Sequence, residues 1–497
     1  MNNKLKELKE ILKKAKIYSH AINIMYFDLE TTAPKDALND QNNTINYFTN
    51  ELFKLLHNDN VNKLVIDLYK EKNNLDYYDR LLIEKMYESY LKQKNITPEF
   101  DLKRNQIYSN AYVAWLNAKE KKDYNLFKDS FKDVINIQRE EINLRDNKLP
   151  IFYDNLLDDC EKGVLSFELD KFFNDLKIGL IDLLNKIKSS KHQIRDDFLN
   201  REVEIYKQEE FSNYLLKLNG YDLNKGVLRT TEHPFTSEIA EYDSRVTTHY
   251  FKDNVLSNIY SVIHEGGHAI FMQNEQKEDH DHFINDYITN GMHESVSRFY
   301  ENVIGRSKEY IHLIYPKFIE TFSEFNDISE QELYEAINIV KPSLIRTEAD
   351  EVTYGLHIII RYEMEKMISN NEISFDDVPK KWNELYYKYL GVKPNNDSEG
   401  VLQDVHWSSG FGYFPSYAIG NCYNAMYVKE MNKVINLKES ILNGDFNTIN
   451  NWMKENIFKE ANHKTPKEWI KNICNKSLSA SDFLEYLNKK YSDIYKF

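Results

Sequence analysis

The apolar positions of this chain recur at helical spacing from the start. Leu5, Leu8, Ile11, Leu12 and Ala15 share one face, with charged residues between them. The same texture continues to residue 227. Pro34, Pro98, Pro150 and Pro234 stand far enough apart for long helices between them. Residues 228–251 break the pattern. Thr, Val and Tyr cluster there and the helical period fades, which predicts a small sheet of two or three short strands. Helical spacing returns at Asn254 and runs to the C-terminus, interrupted at 390–400 and 408–416. Length alone, at about 150 residues per domain, would allow about three domains. No internal repeat and no Pro- or Ser-rich linker divides the chain, so it reads as one mainly α body over 1–497. Its parts are a helical lobe (1–227), a small sheet (228–251) and a second helical part (252–497).

Composition supports that picture. The chain has 15 glycines and 10 prolines among 497 residues, about 5% against a usual ~12%. So few turn-formers point to long helices and few hairpins. A 41% hydrophobic content supplies a core. The formal net charge of −15 repels nucleic acid and anionic membranes, and neither is expected as a partner. The most apolar stretch, Val255–Met272, is broken by His and Glu and falls short of a membrane span. Cys160, Cys422 and Cys474 are scattered, which argues against a disulfide framework or a cysteine-zinc module. The N-terminal segment MNNKLKELKEILKKAK lacks the apolar core of a secretory signal, and a cytoplasmic protein is expected. Charge-rich pieces at 70–74 and 119–123 read as solvated faces.

The candidate chemistry starts within that apolar stretch, at His264-Glu265-Gly266-Gly267-His268. Histidines at i and i+4 lie one helical turn apart, where both imidazoles reach one tetrahedral zinc. Glu265 is placed to take a proton from water without ligating the metal. Such a pattern arises by chance only about 0.06 times in a chain of this composition. Two glycines in a helix cost about 1 kcal/mol each; they make sense where another segment passes close by. Glu294, in Gly291-Met292-His293-Glu294-Ser295-Val296-Ser297-Arg298, falls on a helix that returns beside the first and is the candidate third ligand. Its neighbour His293 is the competing ligand. His280-Asp281-His282, in the polar stretch between, is expected at the surface.

Two later segments carry polar groups unusual for plain structure. Arg346 offers a planar fork for a carboxylate, or else a salt bridge to Glu348 or Asp350. His406, Tyr413 and Tyr417 are donors able to face an oxyanion, or else a core histidine and an aromatic stripe.

These segments, with three others, form an ordered set. Phe27–Thr31 resembles W-D-x-E-T with Phe for Trp. His233-Pro234-Phe235 matches H-P-F, and Asp243–Thr247 matches D-x-R-x-T. His264–His268 matches H-E-x-x-H. His293–Arg298 resembles H-E-S-[GQ]-S-R with Val296 at the variable place. Ile345–Asp350 matches I-R-x-x-A-D, and Gly400–Trp407 matches G-x-x-Q-D-x-H-W. In these motifs the chain resembles the carboxypeptidase Taq family of metal-dependent carboxypeptidases. The resemblance implies a mainly helical fold with a deep cleft, related in shape to neurolysin and angiotensin-converting enzyme. It implies removal of single residues from peptide C-termini with broad preference, and a homodimer. It also implies a zinc requirement, with cobalt or another divalent metal as the alternative. His264, His268 and Glu294 would hold the metal, with Glu265 as general base. His406 with Tyr413 or Tyr417 would steady the oxyanion. Arg346 and Arg245 would anchor the substrate's free carboxylate, with Asp243 and Asp404 as orienting groups. His233 stays between a cleft-lining role and a structural corner. The rivals are a neurolysin-type oligoendopeptidase, which lacks the I-R-x-x-A-D and Q-D-x-H-W elements, and a silent peptide-binding protein on the same scaffold.

Overall fold

The computed structural model describes residues 3–497. The chain opens with nine helices: α1 (Asn3–Thr31), α2 (Leu38–Leu56), α3 (Asp59–Lys70), α4 (Tyr77–Gln93), α5 (Pro98–Lys121), α6 (Asn125–Leu144), α7 (Phe152–Cys160), α8 (Ser166–Ser189) and α9 (Ile205–Asn219). Local signals set their ends. Pro98 occupies the first turn of α5, where its missing N–H costs nothing, and the Thr97 hydroxyl caps the Phe100 N–H at 3.2 Å. Leu5, Leu8 and Ala15 are buried on α1 as their spacing predicts. Leu5 and Leu8 pack with Val61, Leu64, Val65, Leu68 and Ile83 of α3 and α4 in a small core of their own. From Ala111 onward most buried apolar residues share one larger core.

Three strands follow, as the loss of helical period indicates: β1 (Leu228–Thr230), β2 (Thr236–Ala240) and β3 (Asp243–Thr248). β3 is central, parallel to β1 and antiparallel to β2, with Thr236 opposite Val246 and Ser237 opposite Arg245. The sheet ties three of the motifs together. Thr247 bonds Phe235 through both backbone and hydroxyl, at 2.7–2.9 Å. Phe235 meets the Phe27 ring edge-on at 6.0 Å, and the Arg245 guanidinium lies 5.0 Å from the same ring. Phe27 is buried and makes both aromatic contacts there.

Helices fill the rest: α10 (Val255–Gln273), α11 (Lys277–Asp281), α12 (Asn290–Arg298), α13 (Lys308–Thr321), α14 (Glu330–Ala336), α15 (Glu351–Ser369), α16 (Val378–Leu390), α17 (Pro415–Met431), α18 (Leu437–Leu442), α19 (Phe446–Asn456), α20 (Pro466–Cys474) and α21 (Ser481–Tyr495). α10 is buried nearly all round. In its second half only His264, Glu265, His268 and Met272 are partly open, all on one face. Both glycines of the motif have the reason their cost demands. A Cβ on Gly266 would sit 2.7 Å from the Leu216 side chain, and one on Gly267 would sit 2.9 Å from the Ser297 Cα. Leu216 can turn aside; the backbone of α12 cannot. Gly267→Ala should therefore destabilise, because about 1–3 kcal/mol of overpacking exceeds the roughly 1 kcal/mol of helix propensity gained. A lowered melting temperature checks this; an unchanged or raised one would show that α12 yields.

The cysteines Cys160, Cys422 and Cys474 are unpaired. No helix among the described residues is long and apolar enough to cross a membrane.

Candidate active site

α10 and α12 bring the predicted ligands together. The Nε2 atoms of His264 and His268 lie 3.8 and 3.6 Å from Glu294 Oε2. Edges near 3.4 Å are roughly what a tetrahedral cation with 2.0–2.1 Å bonds requires. The outward atoms of the same side chains are held elsewhere. His264 Nδ1 contacts Glu301 Oε2 at 2.9 Å, which leaves the Nε2 lone pair facing inward. Arg298 donates from Nε to Glu294 Oε1 (2.7 Å) and from Nη1 to Glu301 Oε2 (3.0 Å). His293, the competing ligand, instead meets His268 through Nδ1 at 2.5 Å. Three donors converge with their far sides fixed, a set that fits a divalent cation.

The electrostatics agree with the geometry. Burial would raise the Glu294 carboxyl, but Arg298, His264 and His268 hold it well below the usual carboxylate range. Burial opposes the Glu301 charge too, yet Arg298 and His264 bring that carboxyl down to about 2. Burial, then the neighbouring His268, push the His293 imidazole down to about 3.

Neither Glu301 nor its role is visible in the motifs. It sits on a π-helical turn, Phe299–Gly305, that continues α12 with a wider period, a device common at functional sites. If Glu301 orients His264, Glu301→Gln should weaken metal affinity about 10–100-fold. Competition with a chelator reads this out; unchanged affinity would make Glu301 a packing residue.

Glu265 lies beside the ligand face. The Thr236 hydroxyl on β2 is within 2.8 Å of the Glu265 carbonyl and 2.7 Å of its Oε2, so the strand steadies the carboxylate. Sequence reasoning missed Thr236, whose only signal is its place just after the H-P-F motif.

Arg346 pairs with neither Glu348 nor Asp350, the two partners its local sequence offers. Its Nε donates to Asp404 Oδ2 at 2.9 Å, and Asp350 instead caps α15 at Val352 and Thr353. Asp404 Oδ1 also accepts a hydrogen bond from His406 Nδ1, so one buried carboxylate joins two motifs. The Arg346 backbone donates to Gln403 Oε1 at 2.9 Å. Its guanidinium lies 5.0 Å from the Phe414 ring and 5.3 Å from that of Tyr417. Nη1 reaches the Tyr354 hydroxyl at 3.4 Å, and Arg298 stacks on the same Tyr354 ring at 4.5 Å. Tyr354 thus connects the cluster of His264, His268 and Glu294, through Arg298, to Arg346, a bridge that no motif signals.

The His406 and Tyr413 rings are stacked at 5.9 Å, and Tyr413 meets Tyr417 edge-on at 5.2 Å. Tyr413 is 38% exposed, so the group is open to solvent. Burial raises both phenols above their ordinary value and keeps them protonated donors. α17, which carries Tyr417, lies close to α12: a Cβ on Gly420 would be 3.0 Å from the Ser295 nitrogen. Arg245 is engaged by Asp243 through Nε (2.8 Å) and Nη2 (2.7 Å). His233 is exposed in the loop between β1 and β2. The surface reading of the 280–282 segment holds for Asp281, which is exposed, and needs correction at His280, which is 3% exposed because α11 folds in under α1.

The comparisons with known proteins decide the family. The model of the carboxypeptidase Taq (M32) metallopeptidase family matches residues 7–491. This chain belongs to that family. It is 38% identical to carboxypeptidase 1 of Bacillus subtilis (strain 168), over 99% of this chain and 98% of that one. The crystal structure of the M32 carboxypeptidase from Deinococcus radiodurans R1 superposes with a TM-score of 0.96 at 25% identity, with all of both chains covered. The structure of Pyrococcus furiosus carboxypeptidase gives 0.94 at 31% identity, with 99% of each chain covered. The chain is accordingly a metallocarboxypeptidase, and its family membership implies a divalent metal.

Proposed function

We propose that this metallocarboxypeptidase removes single residues from the free C-termini of peptides, with broad preference, in the cytoplasm and as a homodimer. The reading rests on one arrangement. Arg346 is held by Asp404 and Tyr354 through Nε and Nη1, and its Nη2 has no protein partner among the described residues. A half-engaged guanidinium beside the convergent ligands is suited to a substrate carboxylate.

His264, His268 and Glu294 would hold zinc, or cobalt in its place. When bound, such an ion lowers the pKa of water and polarises the scissile carbonyl. Glu265, steadied by Thr236, takes the proton of the attacking water and passes it to the leaving amine. His406 donates its Nδ1–H as a hydrogen bond to Asp404, so donation from Nε2 to the oxyanion as well requires the doubly protonated ring. The Tyr413 and Tyr417 hydroxyls are the neighbouring neutral donors. Arg346 sets the exopeptidase register, with Arg245 as the second candidate anchor for the carboxylate and His233 as a candidate lining residue of the cleft.

Mass spectrometry of a long peptide, with and without a chelator, tests the reading. A ladder shortened one residue at a time from the C-terminus, and abolished by the chelator, is expected. Internal fragments would instead indicate an oligoendopeptidase, and a ladder insensitive to chelation would remove the metal from the mechanism.

A further inference from the structure

Beyond the catalytic residues lies a cavity of 560 Å³ bounded by α1, α3, α4, β2 and the loop after α11. At its wall a second set of ligand atoms converges. His280 Nε2 is 3.3 Å from Glu275 Oε2 and 3.7 Å from Glu238 Oε1, and all three ligand atoms lie within 4.8 Å of one another. The spacing matches that of the catalytic set. Asp286 lines the same cavity.

The group is buried and incompletely bonded. The side chains of His280 and Glu275 are each 2% exposed. Glu275 Oε2 has no hydrogen-bond partner although His280 Nε2 is only 3.3 Å away, so the two atoms face each other outside donor–acceptor geometry. The other Glu275 oxygen is fixed by Asn462 at 2.9 Å, which directs Oε2 toward the histidine. Three carboxylates crowd one imidazole here. The nearest ammonium, Lys16 on α1, is directed instead at the His280 carbonyl, at 3.3 Å. Burying such charge without a counter-ion is costly. The other acidic group of this kind, Asp76, Asp79 and His282, already has a cation, because Lys9 pairs with Asp79.

We infer that Glu238, Glu275 and His280 form a second divalent-cation site, separate from the catalytic one. Imidazole with two carboxylates favours Zn²⁺, Co²⁺ or Mn²⁺ over the oxygen-seeking Ca²⁺ and Mg²⁺. Its place in the fold assigns it a bracing role. Glu238 belongs to β2, which holds Glu265 through Thr236; Glu275 follows the end of α10, which carries both histidine ligands; His280 lies on α11. α1 covers the site, with Asn23 donating to the Glu238 carbonyl at 3.0 Å. A cation here would pin β2, the end of α10 and α11 together beneath α1.

The test uses the full chain carrying His264→Ala and His268→Ala, so that catalytic metal does not contribute. The protein is stripped with chelator, dialysed against micromolar Zn²⁺, and its metal content measured by mass spectrometry. One equivalent is expected, with a raised melting temperature, and both should be lost on adding Glu275→Gln. Glu238→Gln, at a more open position, serves as the second variant should Glu275→Gln fold poorly. No bound metal in the double-histidine variant, or one equivalent that survives both glutamine substitutions, would overturn the inference. A failure of the catalytic assignment would show separately, as a wild-type protein binding no more metal than the double-histidine variant.

Discussion

Glu265→Gln should lower kcat by about 10²–10⁴-fold, the usual worth of a positioned general base, while bound metal and melting temperature stay near the wild-type values. The substitution is well suited to the question. Glutamine keeps the shape and an acceptor oxygen for the Thr236 hydroxyl, which lies 2.7 Å from Glu265 Oε2, so the local packing survives. What it removes is a group able to hold and release a proton. A purely structural Glu265 would show the opposite pattern, with stability lost and turnover retained. KM should change little, because the proton is in flight only in the transition state. The ligand histidines do not allow so clean a separation, since replacing them removes metal and base function together.

The histidine–glutamate half of the candidate site was legible because it is local. Two histidines one turn apart, a glutamate between them and two glycines in an otherwise apolar helix all fall within one stretch of α10. The glycines even carry the right physical reason, a backbone passing at 2.9 Å. Of the groups that steady the site, Asp404 and Asp243 were legible only through the motifs, without their partners; Glu301, Thr236 and Tyr354 were not, because distance along the chain or a change of helical period hides them. Glu301 reaches His264 from a π-helical turn, whose register no α-helical count predicts. Arg346 finds its partner 58 positions away in Asp404, although two acidic residues stand within its own segment. His280 looks like a surface residue in a polar run. It is buried because α1, 264 positions earlier in the chain, folds over it. Helices and the small sheet follow from hydrophobic period, which is a property of neighbours. Burial of a polar group is a property of the packed whole.

Arg346→Ala should cost about 2–5 kcal/mol in kcat/KM, roughly 30- to 5,000-fold, for a peptide with a free C-terminus. The range is wide because two duties are proposed for Arg346. It offers Nη2 to the substrate, and through Nε it neutralises Asp404, which also holds His406. Truncation therefore exposes a buried carboxylate as well as removing an anchor, and the loss alone does not say which effect dominates. The substrate separates them. With a C-terminally amidated peptide there is no carboxylate to hold, so the wild type should be slow and Arg346→Ala should slow it little further. The product of the two single changes would then greatly exceed the effect of making both, and that coupling is the anchor's own contribution. Equal losses on free and amidated peptides would instead assign Arg346 to positioning His406 through Asp404. In that case kcat should fall more than KM rises, and the free carboxylate would have to be held elsewhere, with Arg245 the next guanidinium to test.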